Sequence, residues 1–265
     1  MKKTIQSGGA KIFYTKKGNG PAVMFLHGFG EDSSIWKNIE QNFSDYLLII
    51  PDLPGSGESA LLDQEKVTLS DFADCMADIL AIEKIDCVHF IGHSMGGYIA
   101  MEFASRYPDK LNSICLFHSG AHADDPEKIE TRRKGIKFIK TNGVSAFLKT
   151  SIPGLFKDAE KQKETIDRLI DDAGKFSSRS LIQYYEAMIA RKDHSLLLSS
   201  LKIPVQFIIG EHDKAIPFEI SLKQCYRPPI SFVHILRSSA HMGMYEEPDK
   251  ITPMLLDFLK EVTKG

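Results

Sequence analysis

The feature that most constrains this sequence is a repeated alternation of short, wholly apolar runs with longer amphipathic stretches. Residues 22–26, 47–50, 88–91, 113–117, 205–209 and 232–236 are rich in Val, Ile, Leu and Phe. Short apolar runs without polar alternation predict strands buried on both faces, and such strands need helices on either side of a mostly parallel sheet. Ahead of them, residues 4–7 and 11–15 flank Gly8-Gly9 and predict an opening antiparallel hairpin. The expected fold class is α/β, with about eight strands. Helical spacing of apolar residues fills the intervals at 70–82, where Ser70 is the expected N-cap, at 95–106, ending before Pro108, and at 248–262.

Between Gly120 and Pro204 the alternation stops. These roughly 80 residues hold only charged, helix-like sequence such as 128–141 and 159–191, too much for an ordinary connection between strands. The expected organisation is one core, formed by residues 1–120 and 202–265, interrupted by a helical cap at 121–201.

Composition excludes several classes. The 265 residues are 43% hydrophobic and 26% charged, which argues against disorder. A formal net charge of −2 offers no electrostatic footprint for nucleic acid or an anionic membrane. No apolar run approaches the length of a membrane span. Cys75, Cys87, Cys115 and Cys225 lack C-x-x-C spacing, so neither a disulfide nor a metal site is expected. The segment 1–6 is basic but is followed by no secretory apolar region, making the cytoplasm the expected location. The loop 52–59 resembles a phosphate loop only superficially, because it lacks the GK[ST] ending. A loop-shaping role for Asp52 follows, and no cofactor is expected.

The densest chemical signal is Gly92-His93-Ser94-Met95-Gly96-Gly97, placed between the run 88–91 and the helix 95–106. A G-x-S-x-G between strand and helix lifts the serine above the sheet on a tight turn, and residues two before and two after must be small. A serine hydroxyl needs a base to take its proton and an acid to orient that base. In the fold that this strand–turn–helix suggests, the order along the chain is Ser, acid, His, so the base is expected after the acid. Only His234 and His241 lie beyond Gly210-Glu211-His212-Asp213; His234 sits within a run, while His241 lies in the loop after it. His241 is therefore the expected base. Asp213 is favoured over Glu211 as the acid because it lies deeper in its loop, with Asp124 and Asp125 more remote candidates. The backbone N–H groups of Phe29, in the glycine-bearing loop 27–30, and of Met95 are the expected oxyanion donors. His27 and His93 are expected to bond nearby backbone, and Trp36 to pack in a helix.

Taken in order, the segments 26–30, 52–57, 92–97, 210–213 and 240–242 resemble the α/β-hydrolase superfamily across about residues 20–120 and 200–260. The resemblance is nearest to small carboxylesterases, enol-lactonases and acyl-thioester or methyl-ester hydrolases. It implies Ser94 as nucleophile, Asp213 as acid, His241 as base, and Phe29 and Met95 as oxyanion donors. Haloalkane dehalogenases and epoxide hydrolases of similar type carry aspartate where this chain has Ser94, so the resemblance favours acyl transfer from a small ester, lactone or thioester. The same three groups also serve carbon–carbon hydrolysis, elimination and perhydrolysis, or a ligand receptor with little turnover. An aminopeptidase would need an acid such as Glu186 in the pocket. Candidates for an apolar acyl pocket are Phe138, Phe147, Leu155, Phe156, Tyr184, Tyr185 and Met188. The expected partner is a small-molecule acyl substrate; oligomeric state is not indicated.

Overall fold

The computed structural model describes residues 1–263; the last two positions of the expected segment 202–265 lie outside the described residues. The apolar runs form one sheet from β1 (Lys2–Ser7), β2 (Ala10–Lys17), β3 (Ala22–Leu26), β4 (Leu47–Pro51), β5 (Val88–His93), β6 (Leu111–Phe117), β7 (Val205–Gly210) and β8 (Ser231–Leu236). Their spatial order is β1-β2-β4-β3-β5-β6-β7-β8. The β1–β2 hairpin turns at Gly8-Gly9 and joins the sheet antiparallel through β2 and β4; every later pair is parallel.

The side-chain period of two divides each central strand between two cores. Met24 and Leu26 face the cluster containing Phe72, Met76, Ile99 and Phe103, while Val23 and Phe25 face the one containing Trp36, Phe43, Leu255 and Phe258. The helices that supply these clusters include α1 (Lys37–Glu40), α2 (Leu69–Glu83) and α3 (Met95–Arg106). Trp36 ends a short 3₁₀ turn, Ser33–Trp36, and is fully buried.

Two local expectations need correction. Thr68, not Ser70, caps α2: its amide donates to Asp71 Oδ2 at 2.7 Å in a reciprocal capping box. β8 is not buried on both faces. It closes the sheet as an edge strand, so Phe232 packs on Phe258 while Val233 and Ile235 remain exposed.

Between β6 and β7 the described residues contain helices and no strand. The helices are α4 (Pro126–Asn142), α5 (Val144–Ser151), α6 (Lys163–Ala173), α7 (Ser178–Ile189) and α8 (Ser195–Ser200), with a 3₁₀ turn at Ile152–Leu155. The helix-like stretch 159–191 is broken before α7, whose N-terminus is capped by Ser177 accepting from the Ser180 amide. This segment is packed into the molecule: Tyr184, Ala187 and Met188 of α7 share the cluster of Phe72 and Met95. The chain then continues through α9 (Phe218–Cys225), α10 (Gly243–Glu246) and α11 (Pro248–Thr263). Among the described residues, no helix is long and apolar enough to cross a membrane.

Candidate active site

Ser94 is the single residue between β5 and α3, and it takes φ 50° and ψ −116°, a conformation that costs a non-glycine residue roughly 1–3 kcal/mol. The surroundings hold it there. Its amide donates to the Phe117 carbonyl at 3.0 Å, and its carbonyl accepts from the Ser119 hydroxyl at 2.7 Å. The turn requires the two expected glycines: a Cβ on Gly92 would stand 2.5 Å from the Gly96 carbonyl carbon, and one on Gly96 would strike the Leu26 carbonyl.

Three loops at the C-terminal ends of strands bring partners to this serine. After β7, Asp213 is buried, and its Oδ1 accepts from the amides of Ala215 at 2.7 Å and Ile216 at 2.9 Å. Its Oδ2 lies 2.7 Å from His241 Nδ1, and His241 Nε2 lies 2.9 Å from Ser94 Oγ. Since a carboxylate only accepts, Nδ1 donates, which leaves Nε2 free to accept the serine proton. Burial by itself would raise the Asp213 carboxyl, but attraction to His241, the bond from it and the backbone amide of Ile216 hold it below the ordinary carboxylate range. Glu211 is exposed and is not part of this chain of contacts. Asp124 is also elsewhere: far from being solvated, it is buried against Arg132 and Arg191 at 2.6 and 2.9 Å. Asp125 caps α4, accepting from the Lys128 amide.

The loop carrying His241 is pinned. Glu247 accepts from the Ser238 amide and the Ser239 hydroxyl, Glu246 accepts from the Ala240 amide, and the His241 amide donates to the Leu155 carbonyl of the helical segment.

Glu31, which no motif in the sequence singles out, ties the loops together. Its Oε2 accepts from the Gly28 amide at 2.6 Å and meets His93 Nδ1 at 2.9 Å; the other nitrogen of His93 lies 3.0 Å from the His241 carbonyl. Both partners of the His93 ring are acceptors, so both nitrogens donate and the ring is an imidazolium. Burial opposes charge on each member, yet their attraction prevails: Glu31 is held below the usual carboxylate range and His93 above the usual imidazole range. His93 thus bonds backbone as expected, and a carboxylate besides. His27 bonds only its surroundings: Nδ1 donates to the Gly28 carbonyl, and Nε2 accepts from the Leu53 amide. An acid directly after Phe29-Gly30 was the available signal for Glu31, but its partner lies 62 positions away.

A cavity of about 160 Å³ opens over Ser94 and His241, a size suited to a small molecule. Phe29 borders it, as do Leu155, Tyr185 and Met188 among the expected pocket residues. As the first residue of α3, Met95 has an amide without a partner inside the helix, while its side chain is buried. Phe138, Phe147, Phe156 and Tyr184 do not line the cavity. Phe138 is on the exposed side of α4, Tyr184 turns toward Phe72, Phe156 packs in the second core, and Phe147 packs there behind Phe29 and Tyr185, which border the cavity in its place. Tyr98, Lys128 and Arg132 line the cavity and were not anticipated.

The described residues hold no cluster of His, Cys, Asp and Glu arranged to bind a metal. Residues 21–248 match the profile of the alpha/beta hydrolase fold. The chain is 25% identical to a 2-hydroxy-6-oxononadienedioate/2-hydroxy-6-oxononatrienedioate hydrolase of Burkholderia vietnamiensis, over 94% of this chain and 91% of that protein. It is 26% identical to a 2-hydroxy-6-oxo-6-phenylhexa-2,4-dienoate hydrolase of Burkholderia cepacia, with the same coverage of 94% and 91%. Among solved structures, a thermophilic esterase from Thermogutta terrifontis superposes with a TM-score of 0.91 at 25% identity, covering 99% of both chains. The enol-lactonase of Burkholderia xenovorans, at 21% identity over 97% of this chain and 100% of its own, has a TM-score of 0.89 and shares the fold. With the profile spanning most of its length, this chain belongs to the alpha/beta hydrolase fold family.

Proposed function

We propose that the protein is a serine hydrolase that cleaves a small carboxylic ester, lactone or thioester through an acyl-enzyme on Ser94. The observation that carries this reading is the unbroken chain from Asp213 Oδ2 to His241 Nδ1 at 2.7 Å and from His241 Nε2 to Ser94 Oγ at 2.9 Å. His241 takes the Ser94 proton as Oγ attacks the carbonyl carbon, and Asp213 steadies the imidazolium. The tetrahedral oxyanion is received by the amides of Phe29 and Met95, the latter at the positive end of α3. His241 then protonates the leaving alcohol, lactone oxygen or thiolate. Water activated by the same ring releases the acid and restores Ser94. Residues 121–201 act as the cap that shields this step from solvent, and the core is formed by 1–120 and 202–265.

The test is a series of p-nitrophenyl esters of graded chain length, followed from the first turnover. Wild type is expected to show a burst of p-nitrophenolate and then steady turnover, and Ser94→Ala neither. Absence of turnover on every ester, with ligands binding wild type and Ser94→Ala alike, would make the protein a receptor instead. The Burkholderia relatives favour a second reading. Their named substrates carry a ketone and carboxylate groups but no ester, so the same groups would there serve cleavage of a carbon–carbon bond. Loss of dienol absorbance from such a ketone, faster than turnover of any ester, would decide for it.

A further inference from the structure

The helical side of the cavity carries an excess of positive charge. Lys128 and Arg132, one turn apart on α4, both line the cavity together with Ser94 and His241. Arg132 Nε lies 2.6 Å from Asp124, but that carboxylate is shared with Arg191 at 2.9 Å. Lys128 Nζ donates to the Ala215 carbonyl, and among the described residues no carboxylate lies within ion-pair distance of it. Asp213, the other carboxylate that acts on Lys128, is engaged by His241. Glu31 also borders the cavity, yet its charge is matched by His93. A partly buried ammonium with only a carbonyl to satisfy it is a costly arrangement unless a ligand completes it. Burial and the two neighbouring guanidiniums push its ammonium below the usual lysine range.

We propose that Lys128 and Arg132 form a carboxylate subsite, and that the preferred substrate is a monoanionic ester bearing a free carboxylate in addition to the bond that is cut. This rests on the ester-hydrolase reading and adds the substrate class to it. The ammonium supplies a mobile point charge, while Arg132, held by Asp124 and lying over the Tyr185 ring at 5.7 Å, supplies a fixed one. Apolar residues that line the same cavity, including Met188 and Ile216, would accept the methylene chain joining the two ends of the substrate.

The competing role for Lys128 is structural, because Ala215 also gives its amide to Asp213. The experiment therefore reads a ratio. Hydrolysis of monomethyl succinate, glutarate and adipate is compared with that of the corresponding neutral dimethyl esters by titrating the acid released. At one chain length or more, wild type is expected to prefer the monoanion by at least tenfold in kcat/KM. That preference should fall below threefold in Lys128→Met and return in Lys128→Arg. A merely structural lysine would depress both esters together and leave the ratio where it was, which would overturn the proposal, as would equal or better use of the dimethyl esters by wild type at every length. Calorimetry on Ser94→Ala reads the subsite without turnover. Tighter binding of the monoanion upholds it even if no ester is hydrolysed, in which case the catalytic reading alone fails; equal binding of both forms overturns the subsite.

Discussion

Glu31 and His93, on the core side of the cavity, match one carboxylate with one imidazolium, whereas Arg132 and Arg191, on the helical side, share the one carboxylate of Asp124 and Lys128 donates to the Ala215 carbonyl. The first cluster is closed. Its remaining hydrogen bonds run to backbone, at Gly28 and at His241, so it fixes the relative placement of the loops around Ser94. The second is open toward the cavity and leaves a cation unmatched. Under the proposed reading the two clusters divide the work: the core network holds the loops around Ser94, and the helical segment offers the cavity its positive charge.

The largest effect is expected at the serine itself. Ser94→Ala is expected to lower kcat on any accepted ester by about 10⁴- to 10⁶-fold, measured with p-nitrophenyl esters, while the melting temperature stays near or above wild type because φ 50° strains alanine as it does serine. Asp213→Asn should cost about 10⁴-fold in kcat, since an amide no longer fixes the imidazole in the productive tautomer. Replacing exposed Glu211 by Gln serves as the control, with kcat within about twofold of wild type.

The closed cluster is tested through stability. Glu31→Gln leaves the His93 charge buried without its partner, and should lower unfolding free energy by about 3–5 kcal/mol in urea. The pH dependence follows from the two shifts. His93, raised above its unfolded value, contributes stability below the usual imidazole range that is lost as pH rises through its folded value; Glu31, lowered, contributes stability above the usual carboxylate range that is lost as pH falls through its folded value. Wild type should therefore lose stability on the alkaline side, and Glu31→Gln should show a much smaller loss there. Identical alkaline limbs in the two proteins would contradict the ion pair. The smallest effect belongs to the cap of α2, remote from both clusters. Thr68→Ala should cost about 1 kcal/mol by thermal or urea unfolding.

The core half of the site is legible in the sequence because its parts are local. Gly92 and Gly96 flank Ser94 within one turn, Asp213 follows one strand and His241 another, so chain order and element order suffice to bring them together. The eight strands are legible for the same reason, except that burial on one face or two depends on the neighbours: β8 reads as apolar as β7, yet it stands at the edge. The helical half is not legible in this way. Apolar side chains there serve either the cavity or the packing of the insertion, and composition does not distinguish Tyr184, turned to Phe72, from Tyr185, which borders the cavity. Lys128 and Arg132 look like an ordinary solvated helix face until α4 is laid against the segment after Asp213. Glu31 and His93 are separated in sequence, and only the approach of β3 to β5 joins them.

Covalent labelling of the serine tests directly whether Ser94 is the nucleophile. Wild-type protein treated with a fluorophosphonate and digested for mass spectrometry is expected to carry one adduct, on Ser94, with parallel loss of ester turnover, and Ser94→Ala is expected to remain unlabelled. An enzyme that hydrolyses esters while Ser94 stays unmodified, or whose activity is lost through labelling at another residue, would contradict the account.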